Sequence, residues 1–172
     1  FEGSLSDRSH ELFLDGFLPA GDASTFSGSV RLRYFDSVDN DFNTIDSDIY
    51  DGIQPSLSSS YATDGILGGR LAVAGALYAN LNTQEIHDTV QSADDYAYVG
   101  FSPSISFDRP LIQGVILNLS YSYSYLHFLH PDSVVGEKRV SHAHAINGGV
   151  TVGLERGLQL YLRGSLLANR SN

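Results

Sequence analysis

Apolar and polar residues alternate with a period of two along most of this chain. In GVILNLSYSYSYLHFL, residues 114–129, Val, Leu and Tyr occupy the odd positions from 115 to 125, while Asn118 and three serines occupy the even positions from 118 to 124. GLQLYLRGSLLAN, residues 157–169, repeats the pattern, with leucines alternating with polar side chains. A period of two is typical of a β-strand with one apolar and one polar face, whereas an amphipathic helix repeats about every 3.6 residues. The pattern therefore predicts strands.

About eight segments show this alternation, namely residues 11–18, 26–35, 49–61, 70–82, 95–107, 114–129, 146–155 and 157–169. Most exceed the five or six residues usual in soluble domains and reach the roughly 9 to 11 that a strand needs to cross hydrocarbon. We expect an all-β fold, an antiparallel up-and-down transmembrane β-barrel with about eight strands in this chain. A soluble barrel or sandwich is the alternative, because periodicity does not distinguish inside from outside.

The predicted connections alternate in length. Short ones with turn chemistry are expected at residues 19–24, 63–66, 108–113 and 155–157, and long polar ones at 39–48, 85–94 and 131–139. Short periplasmic turns and longer external loops are typical of outer-membrane barrels. Four short and three long connections would place both chain ends on the outside. We therefore expect residues 1–172 to be a single β-barrel domain, either a complete small barrel or a slice of a larger one.

Composition excludes some function classes. The formal net charge of -10, with ten Lys plus Arg residues, leaves no basic face for nucleic acid. The chain has no cysteine, so it forms neither a disulfide framework nor a thiolate metal site. The long uncharged stretch that covers residues 111–130 is interrupted by Asn118 and by alternating serines, which a membrane-spanning helix would not carry.

GSVRLRYFD, residues 28–36, looks like a porin-type strand that runs up to its loop. Over nearly its whole length the chain resembles the bacterial outer-membrane β-barrel proteins, both the small eight-stranded barrels similar to the OmpA membrane domain and the porins. The resemblance implies a location in the Gram-negative outer membrane, contact with membrane lipid and lipopolysaccharide, and transport through a porin-like passive pore. One alternative is a closed barrel that serves as a membrane anchor, adhesin or interaction scaffold.

Charged and polar residues on the predicted inner face form the first candidate site. Asp15 belongs to this face, and the lumen-lining candidates are Arg31, Arg33, Asn118, Asn147, Glu155, Gln159, Tyr161 and Arg163. We expect these charges to pair with one another, because an unpaired charge in the low-dielectric interior of a barrel is costly. Two interpretations stay open. In the first, the charged side chains pair with one another and fill the interior of a narrow barrel. In the second, they line a pore and select among the solutes that pass through it.

Tyrosines and histidines on the opposite face form the second candidate site, at Tyr121, Tyr123, Tyr125, His127, His142 and His144. A hairpin closed over residues 131–139 is expected to place His127 opposite His142 and Tyr125 opposite His144. Such rings suit an aromatic belt at the level of the lipid headgroups. The alternatives are a zinc or copper site at His127, His142 and His144, and a lipid-facing acyl hydrolase that also uses Ser141 and Glu137.

An acidic segment between the second and third predicted strands is the last candidate. Asp39, Asp41, Asp46 and Asp48 supply the oxygen ligands that divalent cations prefer, although their spacing is not that of an EF-hand. A solvated loop is one interpretation, and a cation that bridges the loop to lipopolysaccharide phosphates is the other. No cofactor and no enzymatic activity are otherwise expected.

Overall fold

A computed structural model describes residues 6–38, 52–82, 97–131, 136–153 and 159–171, without the side chains of residues 6–8, 35–38 and 82. These residues form one sheet of eight strands, each 13 to 17 residues long. The strands are β1 (Ser6–Pro19), β2 (Ser24–Val38), β3 (Gly52–Ile66), β4 (Gly69–Asn82), β5 (Tyr98–Ile112), β6 (Val115–Pro131), β7 (Lys138–Gly153) and β8 (Gln159–Ser171).

Each strand pairs with the next one along the chain, and every pair is antiparallel. The prediction of an all-β, up-and-down arrangement of about eight strands is therefore confirmed. β1 and β8 lie at the two edges of the sheet. Within the described residues these two strands do not pair with each other, so the sheet is open.

The register of the ladders divides the side chains between two faces, because successive residues of a strand point to opposite sides. One face, here called the apolar face, carries cross-strand pairs such as Leu14–Val30, Leu57–Leu77, Val73–Ile105 and Val150–Leu162. The other, here called the polar face, carries pairs such as Ser29–Ser58, Ser104–Ser122 and Asn147–Ser165. The alternation read from the sequence and the observed register thus agree.

The apolar face has no second layer of protein within the described chain. Leu12, Leu14 and Leu162 are each 73% exposed, and Ala97 is the one hydrophobic residue that the described part of the chain buries. A soluble sheet normally buries one face against another layer of structure. Whatever shields these leucines from water therefore lies outside the described residues.

Two of the predicted turns lie later in the chain than expected. Pro19 to Ser24 holds the first turn, as predicted. The second is Leu67–Gly68 rather than residues 63–66, since both turn residues have positive φ, 48° and 71°, as a type I′ hairpin requires. The glycine at position 65 forms a bulge instead, shifting the register between Asp64 and Ile66.

The third turn follows the same rule. β5 continues through the segment 108–113 to Ile112, with a register shift after Pro110, and β6 begins at Val115. Between them Gly114 has a φ of 77°. Pro110 was read as a turn signal, but it lies next to a bulge, where a residue without an N–H is tolerated. The predicted turn at 155–157 lies outside the described residues.

The pair Gly148–Gly149 lies in regular strand. Glycine within a strand often marks a bulge or bend, yet both ladders of β7 pass through Gly148 and Gly149 without a register shift. A Cβ at Gly149 would stand 2.8 Å from the carbonyl oxygen of Leu162 and 3.2 Å from Cγ of Arg163. Close approach of β8, rather than curvature, therefore explains the glycine.

Gly100 is buried because a tyrosine passes over it. Tyr78 on β4 extends across β5 on the polar face, and its hydroxyl lies 3.0 Å from Ser124 Oγ on β6. A Cβ at Gly100 would stand 2.8 Å from Tyr78 Cε2, from the Tyr125 carbonyl oxygen and from Leu126 Cδ2. The absence of a side chain at Gly100 thus lets one phenol connect strands that are not neighbours.

Gly100→Ala is expected to lower the free energy of unfolding by about 1 to 3 kcal/mol, because the added methyl group overpacks the site under Tyr78. Gly75→Ala on neighbouring β4 is the control, since a Cβ there meets no atom within 4 Å. Its effect should stay within about 0.5 kcal/mol. Urea titration of both variants in the same detergent, followed by circular dichroism, measures the difference. Equal losses would show that Tyr78 does not lie over Gly100.

Candidate functional site

The predicted lumen residues share the polar face of the sheet. By register, Arg31, Arg33, Asn118, Asn147, Gln159, Tyr161 and Arg163 all lie there, as does Asp15 opposite Ser29. Glu155 lies outside the described residues. The structure thus brings seven of the eight candidates to one surface, spread over β2, β6, β7 and β8.

A chain of hydrogen bonds crosses β5, β6 and β7 on this face. Asn118 donates from Nδ2 to Asp108 Oδ1 at 2.7 Å, and its own Oδ1 accepts from the Thr151 hydroxyl at 3.1 Å. The Asn118 amide therefore has both its polar atoms engaged, which holds the Asp108 carboxylate in one orientation. The chain is directional, since donors run from Thr151 toward Asp108.

A groove of about 640 Å³ surrounds this chain. Its walls carry hydroxyls and amides from Ser106, Ser120, Asn147 and Ser165, together with the Asp108 carboxylate and the Arg163 side chain. Asp108 on β5 and Arg163 on β8 are three strand spacings apart, or about 14 Å along a flat sheet. The groove therefore has a carboxylate on one side, a guanidinium on the other and neutral hydrogen-bonding groups between them.

The middle of the polar face is lined by small side chains. Serine hydroxyls pair across β2 and β3, with Ser27–Ser60 Oγ atoms 2.7 Å apart and Ser29–Ser58 Oγ atoms 2.8 Å apart. Ala74 and Ala76 of β4 and the serines of β5 continue this surface in a groove of about 450 Å³. Side chains of this size leave space above the sheet.

Aromatic rings gather at the end of the polar face that lies near the long connections. Tyr98 contacts both Tyr78 and Phe128 edge-on, with ring centroids 6.4 and 5.8 Å apart. The Arg139 guanidinium carbon lies 4.1 Å from the Phe128 centroid, within the range of a cation–π contact. Amides also pair here, since Gln54 Nε2 donates to Asn80 Oδ1 at 3.1 Å.

Ion pairs tie charges of the polar face to one another. Arg31 Nε lies 3.1 Å from Glu11 Oε1 across β1 and β2, and Arg70 lies 3.7 Å from Asp64 near the Leu67–Gly68 turn. All four side chains are more than a third exposed, so each pair contributes little to stability in water. Their effect is to fix where charge is presented on the face.

The aromatic and histidine candidates lie together on the apolar face, but with a different register from the one expected. Tyr125 stands opposite His142 and Tyr123 opposite His144, whereas His127 stands opposite Val140. The predicted pairing of His127 with His142 is therefore wrong by two residues. Because side chains alternate with a period of two, a shift of two residues leaves every side chain on its predicted face. The prediction that these rings share one face is therefore unaffected.

Each of the two β7 histidines is held by tyrosines of β6. His142 Nδ1 lies 2.6 Å from the Tyr123 hydroxyl, and His144 Nδ1 lies 3.0 Å from the Tyr121 hydroxyl. Tyr125 also meets His142 edge-on, at a centroid separation of 5.2 Å. The rings form one connected cluster.

The metal and hydrolase interpretations receive no geometric support from the described residues. Within ranges 6–38, 52–82, 97–131, 136–153 and 159–171, no three His, Asp, Glu or Cys side chains come together as a metal site. Asp39, Asp41, Asp46 and Asp48 lie outside those ranges. Ser141 stands opposite Leu126 on the polar face, so the sheet separates its hydroxyl from His142 and His144.

Sequence reasoning missed several residues of the polar face. Asp108 was assigned to a turn, although it continues the alternation of Ser102, Ser104 and Ser106 in the same strand. That alternation was the available signal. Nothing local in the sequence marks Tyr78 or Arg139, because their contacts depend on strands distant along the chain.

Comparison of the chain with protein-family models, with curated proteins and with solved structures found no match in any of the three. In the described part of the chain, no helix is long and apolar enough to span a bilayer.

Asn118→Leu is expected to lower the free energy of unfolding by about 1 to 3 kcal/mol, because Asp108 and Thr151 both lose a partner while side-chain volume is kept. Asn147→Leu is the matched control, since the Asn147 amide is exposed and makes one longer bond of 3.3 Å to Ser120. Its cost should stay below about 1 kcal/mol. Denaturant titration of both variants in detergent compares them, and equal costs would contradict a structural role for the Asp108–Asn118–Thr151 chain.

Proposed function

We propose that this sheet forms the wall of a transmembrane β-barrel in the outer membrane of a Gram-negative bacterium, with the apolar face against lipid and the polar face lining a porin-like passive pore. The observation that carries the proposal is the division of one long-stranded sheet into an unshielded apolar face and a polar face whose middle is lined by small hydroxyl side chains. Membrane lipid and lipopolysaccharide are the expected surroundings.

Strand length supports a membrane location. The shortest strand has 13 residues, or about 43 Å at roughly 3.3 Å per residue. A tilt of about 40° reduces its height to about 33 Å, close to the roughly 30 Å of bilayer hydrocarbon. Every strand of the sheet is therefore long enough to cross.

The apolar face is suited to hydrocarbon over much of its width. Exposed Leu, Val, Ile and Phe residues occur on it from β1 to β8, with Leu12, Leu14, Leu162 and Leu166 all two-thirds exposed or more. Soluble monomers rarely expose a contiguous apolar patch above a few hundred Å². Lipid removes the cost of that exposure, because the acyl chains supply the missing layer.

Small side chains on the polar face favour a pore over a filled barrel. Eight strands enclose an interior that ordinary side chains just fill. Here the middle of the face carries Ser58, Ser60, Ala74 and Ser104, which leave room for water. This argument holds whether β1 and β8 meet each other or meet further strands of a larger barrel.

The charges on the polar face define what the pore would select. Asp108 and Arg163 face the same groove from different strands, and Glu11–Arg31 presents a further pair. Opposite charges across a narrow path create a transverse field that acts on the dipoles and charges of passing solutes. We infer a path for small hydrophilic solutes.

Planar-bilayer recording of the full chain tests the pore. We expect stable conductance steps, and Arg163→Glu should shift the reversal potential in a salt gradient toward cation selectivity. Arg109→Glu is the control, because Arg109 lies on the apolar face opposite Leu117 and should leave the reversal potential unchanged. Insertion without conductance would instead favour the closed barrel that serves as anchor or scaffold, and failure to insert would exclude both.

Leu166→Arg should destabilise the protein in bilayers by about 2 to 4 kcal/mol, because it places a charge on the lipid side near the middle of β8. Ser165→Arg is the matched control, one residue away on the polar face, opposite Asn147, and it should cost clearly less. Unfolding of both variants from lipid vesicles by guanidinium, followed by tyrosine fluorescence, gives the comparison. The reverse order would mean that the polar face meets the lipid.

A further inference from the structure

The two faces of the sheet differ in where they carry carboxylates: the described polar face carries both acidic and basic side chains, whereas the described apolar face carries basic ones alone. Among the side chains that the structure describes, the carboxylates carried by strands all project on the polar face: Glu11, Asp15, Asp64 and Asp108. On the apolar face the described charged side chains are basic: Arg109, Lys138 and Arg170. The chain has a formal net charge of -10, so acidic residues outnumber basic ones in its sequence. Composition alone therefore does not explain why the described apolar face carries no carboxylate.

Most of this basic character lies in one place. Arg170 of β8 stands directly opposite His142 of β7, and His144 follows on the same strand. Lys138 begins β7 on the same side. These residues lie at the end of the sheet where β6 and β7 approach their long connection, and His142, His144 and Arg170 line a groove of about 710 Å³.

The histidines are oriented by their tyrosine partners. The Tyr123 and Tyr121 hydroxyls occupy Nδ1 of His142 and His144 at 2.6 and 3.0 Å. When each phenol donates its proton, the neutral imidazole carries its own proton on Nε2. Both rings then present an N–H donor beside the Arg170 guanidinium, a set of donors that suits the oxygens of a phosphate.

The surface next to this group is aliphatic. Toward the short turns, the apolar face of β7 and β8 continues with Ile146 opposite Leu166 and Val150 opposite Leu162. Ile146, Leu166 and Leu162 are 53%, 67% and 73% exposed. From His144 to Val150 the strand covers about 20 Å, or about 15 Å in height at a tilt of about 40°, which matches the roughly 15 Å of one leaflet of hydrocarbon. A lipid would therefore fit this surface, with its phosphate at His142, His144 and Arg170 and its acyl chains along the aliphatic side chains.

We propose that His142, His144 and Arg170 form a binding site for the phosphate headgroup of an anionic membrane lipid, whose acyl chains lie along the aliphatic surface of β7 and β8. The inference rests on the proposed membrane location. It assigns a partner to the histidine cluster that needs neither a metal ion nor a Ser nucleophile. Charge complementarity selects the occupant, because a zwitterionic lipid offers no net negative charge to the Arg170 guanidinium.

The test measures lipid preference in bilayers. The full chain is reconstituted in phosphatidylcholine with increasing brominated phosphatidylglycerol, and quenching of tyrosine fluorescence reports binding. Tyr121, Tyr123 and Tyr125 adjoin the site, and the chain contains no tryptophan to mask them. The reciprocal titration uses brominated phosphatidylcholine. We expect a preference for phosphatidylglycerol that falls about fivefold in Arg170→Gln, since one basic residue near a membrane surface contributes about that factor.

Further variants separate this site from general electrostatic attraction. His142→Gln with His144→Gln should also lower the preference, whereas Arg163→Gln, the same charge change on the polar face of the same strand, should leave it unchanged. Equal quenching by the two lipids, or equal effects of Arg170→Gln and Arg163→Gln, would overturn the site. Quenching by neither lipid would mean that the chain is not in the bilayer, which refutes the proposed function itself.

A last arm separates lipid from free phosphate. Excess inorganic phosphate is added at an ionic strength matched with chloride. The phosphatidylglycerol preference should persist, because the acyl chains contribute to binding. Loss of the preference with phosphate, but not with chloride, would assign the site to free phosphate and overturn the lipid as its occupant.

Discussion

Antiparallel pairing of long strands, each with a period of two, is the constraint on which the other features of this protein depend. Once one cross-strand pair is fixed, the face of every residue between two bulges is fixed with it. The register shifts lie near strand ends, after Asp64, after Pro110 and after His127. The central part of each strand therefore keeps its parity. The apolar face extends from β1 to β8, and the polar face is lined by small side chains in its middle, on β2 to β5.

This fixed alternation of side chains explains why different polar groups lie on the two faces of the sheet. On the polar face, Asp108 is bound by the Asn118 amide, and Glu11 and Asp64 pair with arginine guanidinium groups. On the other face, tyrosine hydroxyls meet histidine nitrogens and leave aliphatic side chains uninterrupted toward the short turns. Each tyrosine hydroxyl thereby pairs with the Nδ1 atom of one histidine, which satisfies one nitrogen of each ring on an otherwise apolar surface. The proposed pore and the proposed lipid site are therefore two results of one alternation.

Much of the fold could be predicted because it depends on local pattern. Strand number, antiparallel order and the faces of Arg31, Asn118 and Arg163 all follow from alternation over ten or more residues. The positions of the turns were harder to predict from the sequence. The turn lies at Leu67–Gly68 and not at the earlier Asp64–Gly65 because both residues of the later pair adopt positive φ. The His142 register was displaced by two residues because a shift between His127 and Pro131 alters the pairing beyond what the hairpin ends reveal. Contacts between strands that are not neighbours, such as Tyr78 with Ser124, leave no trace in either strand alone.

The unpaired edges of the sheet affect the order in which the strands pair during folding. Pairings between successive strands join residues close in the chain, so each hairpin can form early and at low entropic cost. β1 and β8 each have one side without a neighbouring strand among the described residues, and unpaired backbone groups are costly in hydrocarbon. If the two edges meet each other, the ring that closes spans almost the entire chain; if they meet other strands, those strands lie still farther away or on another molecule. In the proposed barrel, pairing of these two edges is therefore expected to be slower than hairpin formation, and until they pair their backbone groups need water or an assembly partner.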